Sequence, residues 1–253
     1  MTDWECLELA ARLARDAAAA IMGVRASGVT VTRKHDRTPV TEADHAAEAL
    51  IVAGLREATP EIPVIAEEEI AAGRVERLGR RFWLVDPLDG TREFAAGRDE
   101  FAVCIGMVAH RRPVLGAVAL PASGELFLGL PGAGAWKEDA AGRRPISARR
   151  PPPEGLTVFA SRQYADDPRL VSYLAELPVA RVLHAGSALK FCRVAEGTAD
   201  LYPRFGRTME WDTAAPQAVV EAAGGSVRTA DGTPLDYAKP GFINPDFICR
   251  GLP

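Results

Sequence analysis

The sequence predicts an α+β half over residues 1–150 followed by an α/β half over 151–253, and three observations carry that prediction. Apolar residues recur at helical spacing through the first fifth of the chain. Segments rich in β-formers then follow one another at short intervals up to about residue 130. Beyond the proline run RRPPPEG (149–155), strand-like and helix-like segments alternate.

Taken in order, Leu7, Ala10, Ala11, Ala14, Ala18 and Ile21 mark an amphipathic N-terminal helix. A second helix runs from Glu42 to about Arg56, with Thr41 as its N-cap and Asp44 in its first turn. PVIA (63–66) reads as a buried strand that ends at Glu67, Glu68 and Glu69, two of which are expected to be solvated surface charge. FWLVD (82–86) is another strand, stopped by Pro87. FAVCIGMVAH, PVLGAVAL and ELFLGL predict an antiparallel meander. In the second half LTVFAS, ARVLHA and ADLYPR are strands, while PRLVSYLAEL, SALKFCRVAEG and DTAAPQAVVEAAGG are helices, the last two closed by glycine.

The 253 residues, 47% of them hydrophobic, are enough for one large core or two modest ones sharing a cleft. A net charge of −4 supplies no general basic surface for a nucleic-acid polymer, so any phosphate ligand must be held locally. The N-terminal segment carries Asp3, Glu5, Glu8, Arg12, Arg15 and Asp16, which excludes the uncharged core of a signal peptide or transmembrane segment. The four cysteines stand far apart with no CxxC pair, against a zinc site or disulfide framework; a reducing cytoplasmic location is expected.

The chemistry concentrates in WLVDPLDGTREF (83–94), where Asp86 and Asp89 lie close enough to repel and call for a positive partner. With Pro87 ending the strand, both carboxylates and a main-chain carbonyl would converge, the oxygen set that Mg²⁺ takes together with a substrate phosphate. The same letters also fit an Asp-Pro turn followed by an Asp-Gly turn, and the residues alone leave both readings open. A short helix beginning at Thr91 would aim N–H groups and a hydroxyl at an anion beside the acids; alternatively Thr91 is only an N-cap. Glu67 ends one strand as Asp86 ends another, so adjacent strands would bring both acids to one edge. Asp212 opens the last long helix, as N-cap or as metal ligand, with Pro216 in the first turn or just past it. Ser187 and Lys190 in GSALK, with Arg204 downstream, make a candidate second anion pocket, although Lys190 also fits a solvated helix cation. None of the histidines (His35, His45, His110, His184) is an evident nucleophile or acid.

Together AEEE (66–69), DPLDGT (86–91) and WDTAAP (211–216) resemble, in order and spacing, the inositol monophosphatase superfamily of Mg²⁺-dependent phosphatases. TPVTEAD (38–44), LVDPLDGTREF, GSALKFCRVAEGTADLYPRFG (186–206) and PLDYAKPGFINPDF (234–247) are most similar to its CysQ-type 3'(2'),5'-bisphosphate nucleotidase branch, and the likeness spans nearly the whole chain. That resemblance implies a layered sandwich of alternating helices and sheets with a metal cleft between the halves. It implies that Glu67, Asp86 and the carbonyl of Leu88 hold one Mg²⁺, that Asp86, Asp89 and Asp212 hold a second, and that a weaker third leans on Glu67. Asp44, Glu67 and Thr91 match the positions that orient and activate the attacking water, while Gly90 and Thr91 would donate to the substrate phosphate. Glu67, Asp89 and Asp212 border the substrate as well, with Ser187, Lys190 and Arg204 on its second phosphate. The implied reaction removes the 3'-phosphate of adenosine 3',5'-bisphosphate, a small phosphate ester, and extends to 3'-phosphoadenosine-5'-phosphosulfate; lithium inhibition is a trait of the family. Arg92, where the branch often carries Lys, and the extra acid Glu69 leave substrate preference open. The alternatives are a related phosphatase for inositol or sugar phosphates and a non-catalytic sensor of phosphate ligands.

Overall fold

The computed structural model describes residues 1–28, 31–33 and 39–253. His35, and Thr38 at the head of the TPVTEAD stretch, lie outside the described residues. The chain opens with α1 (Asp3–Ser27), whose Thr2 and Glu5 close a capping box, followed by the antiparallel pair β1 (Val31–Arg33) and β2 (Pro39–Thr41). Thr41 then caps α2 (Glu42–Ala58) as expected, with Asp44 completing the box at the third helical position. β3 (Val64–Ala66) runs straight into the one-turn α3 (Glu67–Ala71), and β4 (Arg81–Asp89) leads through Gly90 into the equally short α4 (Thr91–Ala95).

The predicted meander is present and two strands longer than expected: β5 (Ala102–Ala109), β6 (Arg112–Leu120), β7 (Glu125–Leu130), β8 (Gly134–Asp139) and β9 (Gly142–Ile146). They form a seven-stranded sheet in the order β3-β4-β5-β6-β7-β8-β9, in which only the β3–β4 pairing is parallel. The remainder alternates as expected: β10 (Leu156–Ser161), α5 (Pro168–Ala175), β11 (Val179–Ala185), α6 (Leu189–Ala195), β12 (Leu201–Arg204), α7 (Glu210–Ala222), β13 (Ser226–Thr229) and β14 (Phe247–Arg250). Their sheet has the order β11-β10-β12-β14-β13.

Side-chain alternation fixes the layers. On β4 and β5 the residues Trp83, Val85, Val103, Ile105 and Met107 pack against α1 and α2, while Ala102 and Cys104 point to the opposite face, into a core shared with α6 and α7. Val227, Phe247 and Cys249 of the second sheet enter that same core from beyond the helices. Leu156, Val158, Leu201 and Ile248 turn away from it, toward Tyr173 and Leu174 of α5. The result is a sandwich of helix, sheet, helix, sheet, helix, a form of the alternating layers that the family resemblance implied. A cluster of charges ties α6 to β7 and β8 of the first sheet: Arg193 donates to Glu125 at 2.6 Å and to Glu196 at 2.7 Å, and Lys137 bridges the same two acids.

One row of glycines sets the height of α7. Gly106, Gly116 and Gly129 are direct neighbours across β5, β6 and β7. A Cβ on any of them would lie 2.2–2.6 Å from backbone atoms of Ala215 or Val219 in α7. With no side chains in the way, the helix backbone rests on the sheet itself.

Candidate active site

Parallel pairing of β3 with β4 places Ala66 beside Val85, so Glu67, where β3 ends, stands level with Asp86 within β4, and the two acids come to the same end of adjacent strands as the sequence predicted. Glu67 begins α3. The expectation that Glu68 and Glu69 are solvated is corrected. Glu68 is buried and its N–H donates to Glu48 Oε2 at 2.7 Å, while Glu69 receives two hydrogen bonds from Arg56, at 3.0 and 2.8 Å. Glu48, which the sequence reading missed, stands one helical turn beyond Asp44 in the stretch DHAAE, on the same face of α2.

Pro87 does not stop the strand, which is a second correction. β4 continues to Asp89, and the chain absorbs the proline in a bulge: Asp86 pairs with Cys104 and Asp89 with Ala102, three steps against two. The extra residue returns Asp89 to the face of Asp86, because Cys104 and Ala102 both point toward α6 and α7. Asp86 is 2% exposed, and its Oδ1 accepts from the Leu88 N–H at 3.0 Å. Gly90 then turns the chain at φ 93°, where a Cβ would also strike the Glu100 carbonyl at 2.8 Å. α4 starts at Thr91 as expected, and the Thr91 hydroxyl lies 3.0 Å from both Asp44 Oδ1 and the Leu88 carbonyl. The other oxygen of Asp44 takes the N–H and hydroxyl of Thr41, each at 2.7 Å, so this buried carboxylate is fixed on both sides.

From the opposite wall α7 brings Asp212. It is the third helical residue and not the N-cap, and its Oδ2 accepts from the Met209 N–H at 2.9 Å; Pro216 lies beyond the first turn. The Ser187 turn, at φ 50°, closes the cleft between these walls, with the Ala188 N–H donating to Asp89 Oδ2. Lys190 is neither a solvated cation nor an ammonium reaching into open space. It is 2% exposed, its Nζ donates to the carbonyls of Ser187 at 2.6 Å and Ala185 at 3.2 Å, and it lies 5.0 Å from the Tyr202 ring centre. Arg204 stacks on Tyr164 at 4.5 Å and donates to the Arg207 carbonyl at 2.9 Å. Arg207 and Tyr164, absent from the sequence reading, line the cleft too; R-F-G-R was the available signal for the second arginine. His45, His110 and His184 are exposed and none lines it.

The cleft has a volume of about 520 Å³ and is lined by Glu67, Asp86, Asp89, Thr91 and Asp212 together with Arg204. Burial pushes the carboxyl of Asp86 well above the ordinary range, and the charges of Glu67, Asp89 and Asp212 push it further. Asp212 is raised in the same way by burial, then by Asp89 and Glu67. Asp89 is raised by burial against the opposing pull of Lys190, and Lys190 is lowered by its own burial. As they stand, no three described His, Cys, Asp or Glu side chains converge on one cation-sized point. The donor set nonetheless fits hard divalent cations: carboxylates and a main-chain carbonyl, gathered from three stretches of chain, whose mutual repulsion a positive ion would relieve.

A model of the inositol monophosphatase family matches residues 3–248. The chain belongs to that family. It is 46% identical over 246 residues to the 3'(2'),5'-bisphosphate nucleotidase CysQ of Escherichia coli O157:H7, covering 95% of this chain and 98% of the relative. Among solved structures it superposes on CysQ from Bacteroides thetaiotaomicron with a TM-score of 0.82, at 31% identity and with 98% and 97% of the two chains covered. An inositol monophosphatase from Zymomonas mobilis gives the same TM-score at 27% identity, over 100% and 95%. The inositol monophosphatase fold is therefore established for this chain, as the motifs implied. No helix among the described residues is long and apolar enough to cross a membrane.

Proposed function

We propose that the chain is a Mg²⁺-dependent phosphoric monoester hydrolase that removes the 3'-phosphate of adenosine 3',5'-bisphosphate, giving AMP and inorganic phosphate. The observation that carries the reading is one cleft lined by acids from β4, α3 and α7 together with Arg204 and Arg207. The 46% identity to a named bisphosphate nucleotidase supports the choice of substrate.

In this reading Glu67, Asp86 and the Leu88 carbonyl hold one Mg²⁺, Asp86, Asp89 and Asp212 hold a second, and a third rests on Glu67. Bound there, the cations would offset charge on the phosphoryl and leaving oxygens and make a water more acidic. The protein's own part begins with Thr91, whose hydroxyl donates to Asp44 and so turns an oxygen lone pair toward the cleft. A water donating to that lone pair is aimed at phosphorus, and Asp44 holds Thr91 in place. The N–H groups of Gly90 and Thr91 receive the phosphoryl oxygens. Attack forms a new bond from the water oxygen to phosphorus as that water gives up a proton, and breaks the bond to the 3'-oxygen, which takes up a proton from solvent and leaves as the alcohol. No phosphoenzyme is required. Arg204 and Arg207 receive the 5'-phosphate, with Ser187 beside it, while Lys190 supports the Ser187 turn from below. The same pocket would accept the phosphosulfate analogue, and lithium would compete for the cation positions.

The test is phosphate release from adenosine 3',5'-bisphosphate, its phosphosulfate analogue, inositol 1-phosphate, fructose 1,6-bisphosphate and histidinol phosphate, with Mg²⁺ and with EDTA. The expected result is Mg²⁺-dependent release with kcat/KM highest for the two nucleotides and AMP as the product of the first. A preference for inositol phosphate would replace the substrate assignment, and nucleotide binding without release on any substrate would replace the enzyme by a sensor.

A further inference from the structure

The position of Glu67 depends on a helix that cannot hold itself. α3 is five residues long, and its N-cap is Ala66, which has no side-chain acceptor. The first N–H groups of any helix need an acceptor from elsewhere, and a single turn gains little from its own hydrogen bonds. The acceptor comes from α2. Glu48 Oε2 takes the Glu68 N–H at 2.7 Å. Glu48 is 6% exposed, so water does not compete for that bond.

Glu48 belongs to a row on α2 stepped by four residues. Asp44, at one end, accepts from the Thr91 hydroxyl at the start of α4. Arg56, two turns beyond Glu48, holds the Glu69 carboxylate by two hydrogen bonds. A single helix therefore grips both one-turn segments that carry cleft residues: α4 through Asp44, and α3 through Glu48 and Arg56. Asp44 and Glu48 are only one turn apart, so a shift of α2 moves both grips together.

We propose that Glu48 is a positioning residue for the cleft, capping α3 from outside that helix and so setting where Glu67 stands relative to Asp86. The proposal rests on the reading of Glu67 as a cation ligand, and nothing requires Glu48 to touch substrate or cation.

The test measures Mn²⁺ binding to the full chain without substrate, by the electron paramagnetic resonance of free Mn²⁺, alongside the Mg²⁺ dependence of phosphate release. Glu48→Leu removes the acceptor, Glu48→Asp withdraws it by one methylene, and Glu48→Gln keeps a carbonyl oxygen in place. Groups that orient metal ligands are typically worth about 10- to 100-fold in metal affinity, and a loss of about tenfold is expected for Glu48→Leu and Glu48→Asp. The Mg²⁺ concentration for half-maximal activity should rise by a similar factor, with substrate KM at saturating Mg²⁺ unchanged. Glu48→Gln should recover most of the lost affinity. Glu125→Gln, a half-buried, salt-bridged acid outside the cleft lining, controls for lost stability and should bind Mn²⁺ normally. Wild-type Mn²⁺ affinity in Glu48→Leu or Glu48→Asp, with Glu67→Gln impaired, overturns the positioning role and leaves the site reading standing. Normal Mn²⁺ binding in Glu67→Gln overturns the site reading beneath it. Should Glu48→Leu fail to fold by circular dichroism, the Asp and Gln variants decide in the same way.

Discussion

Asp89 is the residue on which the most arguments meet. A bulge returns it to the face of Asp86, the Ala188 N–H fixes one of its oxygens, and buried Lys190 offsets part of its charge. Asp89→Asn keeps the shape and removes the charge. Even groups behind a metal ligand are worth about 10- to 100-fold, so this variant should lose more than about 100-fold in turnover at saturating Mg²⁺ while melting close to wild type. Undiminished turnover would remove Asp89 from the cation set. The acids of the cleft were legible because their letters are local words with a shared oxygen chemistry: DPLDGT, the AEEE that ends a strand, and the WD that opens a helix. The burial of Lys190, which lines the cleft, was not legible for the opposite reason. Whether a long side chain snorkels outward or folds under its own turn depends on the Ser187 backbone, at φ 50°, which no local pattern announces. Glu48 was overlooked because its partner is a backbone N–H twenty residues along, and sequence patterns speak mainly of side chains.

The long elements declare themselves by period, and the decisive ones do so by what they lack. α1, α2 and the strands of the meander follow from apolar spacing at 3.6 and 2. β9 was missed because four of its five residues are exposed. The bulge in β4 was also invisible: proline suggested an end to the strand, and only pairing with β5 shows the ladder resuming at Asp89. Gly106, Gly116 and Gly129 align into the seat of α7. Gly116→Ala would place a Cβ 2.2 Å from the Ala215 carbonyl oxygen, a backbone atom that moves only if α7 moves. Overpacking of this kind costs about 1–3 kcal/mol, to be read from urea unfolding. A shift of about 1 Å in Asp212 would in addition lower turnover on the order of 100-fold, so a destabilised variant with normal turnover would show that the helix seat and the chemistry are independent.

At the scale of the whole molecule, the cleft exists because three layers end at one place. The first sheet delivers Glu67 and Asp86 through its single parallel pairing, α2 on one side of that sheet holds Asp44 and Glu48, and α7 on the other side supplies Asp212. The order of layers followed from alternating segments and from the family resemblance; which face each acid would take followed only from the register. The most direct measurement is a crystal grown or soaked with Mn²⁺ and examined by anomalous scattering, because it locates cations without reference to turnover. Peaks bounded by Glu67, Asp86 and the Leu88 carbonyl, and by Asp86, Asp89 and Asp212, are the expected result. Mn²⁺ at concentrations that support phosphate release, yet bound away from these acids, would contradict it.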